Sequence, residues 1–176
     1  ASNGGSALTD YAIEYSTNSG STWVTFVDGT STATSATVTG LTNGTGYIFR
    51  VTARNAAGLG SPSTSTSSVV PRTTPSAAQS VSGTAGNTQV DLTWSAPVSN
   101  GGSVITDYVI QYSTDSTNWT VFGDGTSTTT STTVTGLTNG TAYVFRVAAV
   151  NVAGTGNYSV ASTSLTPYTT PGTPTS

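Results

Sequence analysis

The sequence predicts an all-β chain of two tandem β-sandwiches, the first of which lacks its two N-terminal strands. Runs of alternating apolar and polar residues recur between turns rich in Gly, Asn and Ser, which is the period of strands with one buried face. Most of the chain is also duplicated, because SNGGSALTDYAIEYST at 2–17 returns as SNGGSVITDYVIQYST at 99–114. Hydrophobic residues make up 34% and charged residues only 6% of the chain, a composition that favours turn-rich β-structure over disorder.

The second copy has the pattern of a seven-stranded sandwich with short strands between turns. The first strand is predicted around Val81 and the others at 90–94, 108–112, 119–122, 132–137, 143–150 and 158–165. Val90, Leu92 and Trp94 alternate along the second strand and form its inward face. In the sixth strand the same alternation directs Tyr143 towards the core and Arg146 away from it. The stretch 151–156 is too rich in glycine to continue the sheet and is predicted to be a loop.

A short turn between Leu and Tyr recurs in both copies. LTNGTAY runs from Leu137 to Tyr143, and LTNGTGY runs from Leu41 to Tyr47. Asn and Gly in this turn tolerate the positive φ that a tight connection needs. The pattern resembles the tyrosine corner of Greek-key sandwiches, in which the tyrosine hydroxyl bonds to nearby backbone.

Taken together, Trp94 and the runs ITDYVIQYS, TGLTNGTAYVFRVAAVN and GTGNYS resemble the fibronectin type III domain over residues 75–171. The resemblance implies structural core positions, which are Trp94, Leu137 and Tyr143 in the second domain and Leu41 and Tyr47 in the first. The Arg-Gly-Asp adhesive motif known from this family is absent, since no Arg of the chain is followed by Gly.

The predicted domains are an incomplete repeat at 1–74 and a complete repeat at 75–171, followed at 172–176 by a linker or the start of another repeat. The first copy begins in the loop before its third strand, without a counterpart of 75–98. The inward faces of its strands should therefore be exposed on one side, and its fifth strand should have no partner. We expect either that the chain is a segment of a longer protein or that a neighbouring molecule supplies the missing strands by β-augmentation.

The composition argues against several classes of function. The chain contains neither Cys nor His, so no disulfide, thiolate site or imidazole is available. A net charge of −3 offers no basic surface for nucleic acid. No apolar run approaches the roughly 20 residues that a membrane span requires. The sequence therefore predicts no cofactor, no bound metal, no nucleic-acid partner and no membrane insertion.

Carboxylates are the remaining candidates for acid–base or metal chemistry. Asp91 and Asp107 could be proposed as a glycosidase-type pair, but solvated surface positions explain them better, and we predict no enzyme. Asp28 and Asp124 each precede Gly-Thr, and one Asp per loop falls short of the roughly six to eight oxygens that calcium takes. We interpret both as Asp-Gly hairpin turns.

Aromatic residues outside the core pattern are the candidates for binding. Trp23 and Trp119 open short, edge-like strands, and Tyr158 and Tyr168 lie near the last strand. Their rings could stack on sugars or dock a partner, and the alternative is that they only cover the flank of the sandwich.

The sequence as a whole predicts a structural function. Tandem modules with Pro75 and Pro171 at their junctions suit non-catalytic spacers of a longer extracellular protein, such as a bacterial surface protein, filament or sheath. The expected partners are neighbouring repeats and other copies of the chain, with self-assembly or adhesion through module faces. Two alternatives remain open, which are carbohydrate-binding accessory modules of a secreted polysaccharide-degrading enzyme and a decoration or fibre module on a phage virion.

Overall fold

The computed structural model describes residues 2–173 and confirms the predicted all-β fold. Strands and connecting segments make up this range, and none of its residues is helical. No helix of the described chain is therefore long and apolar enough to cross a membrane. The chain divides into a first unit, Ala1–Pro71, and a second unit, Arg72–Ser176.

The first unit consists of one antiparallel sheet. Its strands are β1 (Leu8–Ser16), β2 (Val24–Phe26), β3 (Ile48–Asn55) and β4 (Gly58–Leu59), in the order β2-β1-β3-β4. β1 and β3 pair over nearly their whole length, with Ile13 opposite Val51 and Tyr15 opposite Phe49. Alternation along both strands gives the sheet one apolar face. Among residues 2–71 no second sheet covers that face.

The second unit is a sandwich of two antiparallel sheets. Its strands are β5 (Gln79–Gly86), β6 (Gln89–Ser95), β7 (Asp107–Ser113), β8 (Thr120–Phe122), β9 (Ser131–Thr135), β10 (Val144–Asn151) and β11 (Gly154–Thr155). One sheet has the order β5-β6-β9 and the other the order β11-β10-β7-β8. The four-stranded sheet is thus the counterpart of the single sheet in the first unit.

β6 supplies the apolar face that closes the second unit. Val90, Leu92 and Trp94 alternate along this strand and are 0%, 1% and 6% exposed. They belong to one core cluster with Ile110 and Phe145 of the opposite sheet, both of which are 0% exposed. Burying one side chain of this size stabilises a fold by roughly 1.5–3 kcal/mol. β6 is therefore a major source of the stability of this unit.

Each unit contains a tyrosine corner. The Tyr143 hydroxyl accepts a hydrogen bond from the Thr138 N–H at 3.2 Å, and the Tyr47 hydroxyl accepts one from the Thr42 N–H at 3.0 Å. Each bond ties the start of the connecting turn to the strand that follows it. The turn is therefore fixed in the same way in both units.

The predicted seventh strand at 158–165 is not a regular strand, which corrects the sequence interpretation. β10 ends at Asn151 and turns back at once into β11, where the sequence predicted only a loop. The segment that follows then meets β10 at every third residue. The N–H groups of Ser159 and Ser162 donate to the carbonyls of Val147 and Phe145 at 2.9 and 2.8 Å.

Serine hydroxyls make this spacing possible. The Phe145 N–H donates to Ser162 Oγ at 3.0 Å, and the Val147 N–H donates to Ser159 Oγ at 3.1 Å. A side-chain oxygen thus replaces the backbone carbonyl as acceptor, so this segment advances three residues for every two residues of β10. The same bonds recur in the first unit, from Phe49 N to Thr66 Oγ1 and from Val51 N to Ser63 Oγ.

The Asp-Gly turn at Asp124 is not a hairpin, which is a second correction. Gly125 has a φ of +80°, as a tight turn requires, but β8 and β9 belong to different sheets. The turn therefore lies in a crossing between the two sheets. Asp107 Oδ1 holds this crossing by accepting a hydrogen bond from the Ser127 N–H at 2.9 Å. The turn at Asp28 is not a hairpin either, because β2 and β3 do not pair.

Candidate binding surfaces

The outer face of the second unit carries an arginine against two aromatic rings. Arg146 points outward because it alternates with buried residues of β10, and the antiparallel register sets it opposite Gln111. Its guanidinium carbon lies 4.0 Å from the ring centroid of Trp119 and 4.3 Å from that of Tyr158. Its Nε donates to Gln111 Oε1 at 2.8 Å. We call this group the arginine stack; a cation–π contact of this kind contributes roughly 0.5–1 kcal/mol at an exposed site.

The first unit has an equivalent arginine stack. The guanidinium carbon of Arg50 lies 4.1 Å from the ring centroid of Trp23, and its Nε is 2.7 Å from Glu14 Oε2. A carboxylate thus stands where the second unit has the Gln111 amide, and Pro62 stands in the sequence where the second unit has a tyrosine. The two charged side chains are 26% and 23% exposed, so water screens their attraction.

Three of the four aromatic residues predicted as binding candidates contact an arginine. Trp23, Trp119 and Tyr158 are half-buried, and each ring contacts an arginine of its own unit. A ring face that carries a guanidinium is not available to a sugar ring. Tyr168 differs, because it is 64% exposed.

The residues implied as core by sequence lie at different depths in the two units. In the second unit, Trp94, Leu137 and Tyr143 are 6%, 4% and 8% exposed and belong to the core cluster. In the first unit, Tyr47 is 6% exposed. Leu41, by contrast, is half-buried and lines an open groove.

This groove is the uncovered apolar face of the first unit. It has a volume of about 770 Å³ and is lined by Tyr11, Ile13 and Phe49 from the sheet, with Val38 and Leu41 from the connection after β2. All five side chains are half-buried, although the sequence predicted that the inward faces of the strands, here Tyr11, Ile13 and Phe49, would be exposed on one side. The matching face of the second unit is covered by the β5-β6-β9 sheet. The groove is therefore an apolar surface of a kind that folded proteins rarely leave uncovered.

The carboxylates of the second unit are engaged within the fold. Asp91 Oδ1 accepts a hydrogen bond from Thr133 Oγ1 at 2.6 Å, in the sheet opposite to that of Asp107. The structure therefore places Asp91 and Asp107 in different sheets, each with its own partner. Burial raises the pKa of Asp124, and the charge of Asp107 adds to this effect. Among residues 2–173, no three side chains of Asp, Glu, His or Cys form a group that could hold a metal ion.

Asp115 organises the turn between β7 and β8. Its carboxylate accepts hydrogen bonds from the N–H groups of Asn118 and Thr117, both at 2.8 Å, from Asn118 Nδ2 at 2.7 Å and from Ser113 Oγ at 2.9 Å. These bonds, led by that of the Asn118 backbone, stabilise the charged form and hold the pKa of Asp115 well below its usual range. Asn18 occupies the equivalent turn of the first unit.

Sequence reasoning identified the tryptophans but missed the arginines that cover them. Trp23 precedes Arg50 by the same number of residues as Trp119 precedes Arg146. This recurring spacing was the available signal, because the strand after each tryptophan and the strand carrying each arginine lie in one sheet.

The two sheets of the second unit define an immunoglobulin-like β-sandwich module, and the single sheet of the first unit matches one of these two sheets. The model of the fibronectin type III domain matches residues 1–69 and 74–165, and the chain belongs to this family. The resemblance inferred from the sequence is thereby confirmed.

The relatives that contain this module are very different proteins. The chain is 32% identical over 177 aligned positions to the M-protein of striated muscle from Gallus gallus, covering 97% of this chain and 12% of that protein. It is 39% identical over 142 positions to Exoglucanase B of Cellulomonas fimi, covering 76% of this chain and 12% of that protein. It is 35% identical over 144 positions to Chitinase A1 of Niallia circulans, covering 76% of this chain and 19% of that protein. The chain thus spans less than a fifth of the length of each relative.

A solved structure supports the fold. The crystal structure of domains A168–A170 from titin aligns with a TM-score of 0.60 at 23% identity, covering 91% of this chain and 55% of that chain. At this level of identity the match shows a shared fold.

Proposed function

We propose that the chain acts as a pair of non-catalytic structural spacer modules in a longer extracellular protein of a cell surface, filament or sheath. The arginine stack is the observation that carries this proposal. A module that binds sugars needs aromatic rings with open faces, whereas Arg50 and Arg146 cover the rings of Trp23 and Trp119 within each unit. The outer-face aromatics thereby pack across their own sheet, since β1 separates β2 from the strand that carries Arg50, and β7 separates β8 from the strand that carries Arg146.

The range of relatives supports a spacer role. The same kind of module occurs in a muscle protein, an exoglucanase and a chitinase, so it is not tied to muscle or to the hydrolysis of a polysaccharide. Separating other domains is a role that suits all three proteins. The closed core of the second unit also suits this role, because a well-packed sandwich transmits strain between its ends.

Neighbouring repeats and other copies of the chain are the proposed partners. Only 6% of the residues are charged and the net charge is −3, so module faces can approach one another with little electrostatic repulsion. Sedimentation velocity over a range of concentrations tests this part of the proposal, and we expect reversible self-association. A chain that stays monomeric at the highest concentration contradicts it.

Mechanical unfolding tests the spacer role directly. When the chain is stretched between two handles, we expect the second unit to resist and then unfold in one step. The gain in length should be roughly 30–35 nm, because an extended chain spans at most about 3.3–3.6 Å per residue. Gradual lengthening at low force, without such a step, contradicts a spacer that resists stretching.

Polysaccharide binding distinguishes the spacer from an accessory module of a glycan-degrading enzyme. In gels containing soluble cellulose or chitin derivatives, we expect the full chain to migrate as it does in plain gels. Retardation that is lost in Trp119→Ala and retained in Tyr168→Ala identifies the stack as a sugar site and overturns the proposal. Retardation lost only in Tyr168→Ala overturns it as well, and assigns binding to the exposed tyrosine.

A further inference from the structure

Residues 73–76, which precede the first strand of the second unit, are hydrogen-bonded to a loop of that unit. The Thr73 N–H donates to the Gly101 carbonyl at 2.9 Å. The Ser76 N–H donates to the Ser99 carbonyl at 2.9 Å, and Ser76 Oγ accepts a hydrogen bond from the Ser99 N–H at 3.0 Å. We call residues 73–76 the connecting segment. Both of its ends are thus attached to the loop between β6 and β7.

Asn151, at the end of β10, joins the connecting segment to two further parts of the unit. Its Nδ2 donates to the Thr73 carbonyl at 2.9 Å and to the Asn100 carbonyl at 2.7 Å. Its Oδ1 accepts a hydrogen bond from the Ala153 N–H at 2.8 Å. Asn151 is 4% exposed, so its two amide hydrogens and its oxygen satisfy groups that water reaches poorly. One side chain therefore holds three segments together.

Two glycines allow the connecting segment to approach these loops closely. A Cβ on Gly101 would lie 2.0 Å from the Thr73 carbonyl oxygen, and a Cβ on Gly156 would lie 2.2 Å from the Pro75 carbonyl oxygen. Cβ atoms do not approach backbone atoms to within 3.0 Å, so a side chain at either position would displace the connecting segment. The close approach therefore requires glycine at both positions.

The first unit has glycines at the two equivalent positions, Gly4 and Gly60, which make no such approach. A Cβ on Gly60 would lie 3.6 Å from the Ala53 carbonyl oxygen, which is an ordinary contact. A Cβ on Gly4 would lie 3.4 Å from Asn55 Nδ2, the end of a side chain. Gly4 has a φ of +67° and Gly101 a φ of +71°, so alanine would strain both backbones alike. The two glycines are therefore matched controls.

We propose that Gly101, Asn151 and Gly156 form a clamp that holds the connecting segment as a rigid part of the second unit, so that the rigid unit begins at Thr73 rather than at β5. The clamp rests on the proposed spacer function and extends it, because a spacer keeps a set separation only where its connections do not bend. A connection with fewer freely moving residues spans a narrower range of distances.

The clamp also restricts proteolysis, which provides a way to measure it. A protease cuts a folded chain in proportion to the time that the cut segment is open, provided that the segment closes faster than it is cut. The chain has no Lys, and of its four Arg only Arg72 lies outside the strands. Trypsin cleaves after Lys and Arg. Cleavage of the Arg72–Thr73 bond therefore reports the opening of the connecting segment.

Limited digestion of the full chain with trypsin tests the clamp. We expect Gly156→Ala to speed cleavage of the Arg72–Thr73 bond by at least about 10-fold, because the added methyl group displaces Pro75. Gly60→Ala is the matched control and should leave the rate unchanged. Equal rates in the unchanged chain and in Gly156→Ala overturn the proposal.

A second pair of variants separates the contact from backbone strain. We expect Gly101→Ala to speed the same cleavage and Gly4→Ala to leave it unchanged, although both positions have a positive φ. If cleavage after Arg146 of β10 also becomes faster, the substitution has unfolded the second unit. Relaxation measurements on the unchanged chain then decide.

NMR relaxation of the unchanged chain depends on no variant. We expect order parameters of about 0.85 for the amides of Thr73 and Ser76, as in a rigid strand, and values below about 0.6 overturn the proposal. Asn151→Asp keeps the acceptor for the Ala153 N–H and removes the donor to Thr73, so the order parameter of Thr73 should fall. An unchanged value contradicts the role of Asn151. A mobile connecting segment would leave the one-step mechanical unfolding of the second unit intact, so failure of the clamp is distinguishable from failure of the spacer proposal.

Discussion

Residues 35–39 and 131–135 have nearly the same sequence and different structures. The second segment is β9, paired with β6, and the first belongs to no strand. Local preference is similar in both, because Thr and Val favour strands in either place. The difference lies in the partner, since a strand is stabilised by its cross-strand pairs. A β-rich sequence therefore determines where a strand can form, and its neighbours determine whether it does.

The pairing of β1 with β3, in contrast to residues 35–39, does not depend on a covering sheet. Its register repeats that of β7 and β10, with Ile13 opposite Val51 as Ile110 is opposite Val147. This pairing is the same with and without a covering sheet. The cover changes the burial of the side chains, which is complete for Ile110 and partial for Ile13.

The largest predicted effect contrasts Phe145 with Phe49. Phe145→Ala should reduce the free energy of unfolding of the second unit by roughly 3–5 kcal/mol, because the change leaves a cavity in a closed core. Phe49→Ala should cost the first unit only roughly 1–2 kcal/mol, since its half-buried ring already borders an open groove. Hydrogen exchange followed by mass spectrometry in increasing urea reports each unit separately. Equal losses would show that the groove is covered in solution.

A second contrast concerns the hydroxyls that replace carbonyl acceptors. Ser162→Ala leaves the buried Phe145 N–H without an acceptor and should cost roughly 1–3 kcal/mol. Thr66→Val removes the equivalent bond at an exposed position, where water can replace it, and should cost less than about 0.5 kcal/mol. Ser162→Thr is the control, because it keeps the hydroxyl and should retain most of the stability of the second unit. The same urea series measures all three, and a smaller loss for Ser162→Ala than for Thr66→Val would contradict the role of burial.

The fold class could be predicted because its determinants lie in the order of residues along single strands. Alternation at Val90, Leu92 and Trp94 identified β6, and the Leu-to-Tyr turn indicated a Greek-key corner. The segment at 158–165 was mispredicted because its period is three. Alternation therefore predicted a regular strand for a segment in which Ser159 accepts a hydrogen bond in place of a carbonyl.

The candidate surfaces were less predictable for a different reason. An arginine stack joins an arginine of one strand to aromatic residues that lie next to or beyond other strands, so it depends on the register between strands rather than on the sequence of any one of them. The absence of a counterpart of 75–98 did indicate an uncovered face. The groove on this face, however, is also lined by Val38 and Leu41 from the connection between β2 and β3. The position of this connection follows from the fold of the whole unit.

A smaller effect is expected from exchanging the acceptors of the two arginine stacks. Glu14→Gln should reduce the free energy of unfolding of the first unit by at most about 1 kcal/mol at low salt, and Gln111→Glu should raise that of the second unit by a similar amount. Both effects should fade in about 1 M salt, because partly exposed charges are screened. Unfolding curves at low and high salt measure the difference. An effect that persists at high salt would show that the geometry of the hydrogen bond, rather than charge, determines how much the acceptor contributes to the free energy of unfolding.

The smallest effect is expected at the turn between β7 and β8, and it depends on pH. The hydrogen bonds to Asp115 lower its pKa in the folded state, so their contribution is present above its unfolded pKa of about 3.9 and is lost as the pH falls through the folded value. Asp115→Asn should therefore make the acid-induced loss of stability of the second unit shallower below about pH 4. The first unit has Asn18 at this place and serves as the internal reference, whose acid response should not change in the variant. Urea unfolding of the unchanged chain and of the variant at neutral pH and near pH 3 measures this loss of stability. Identical losses in the two chains would show that other carboxylates cause the pH dependence.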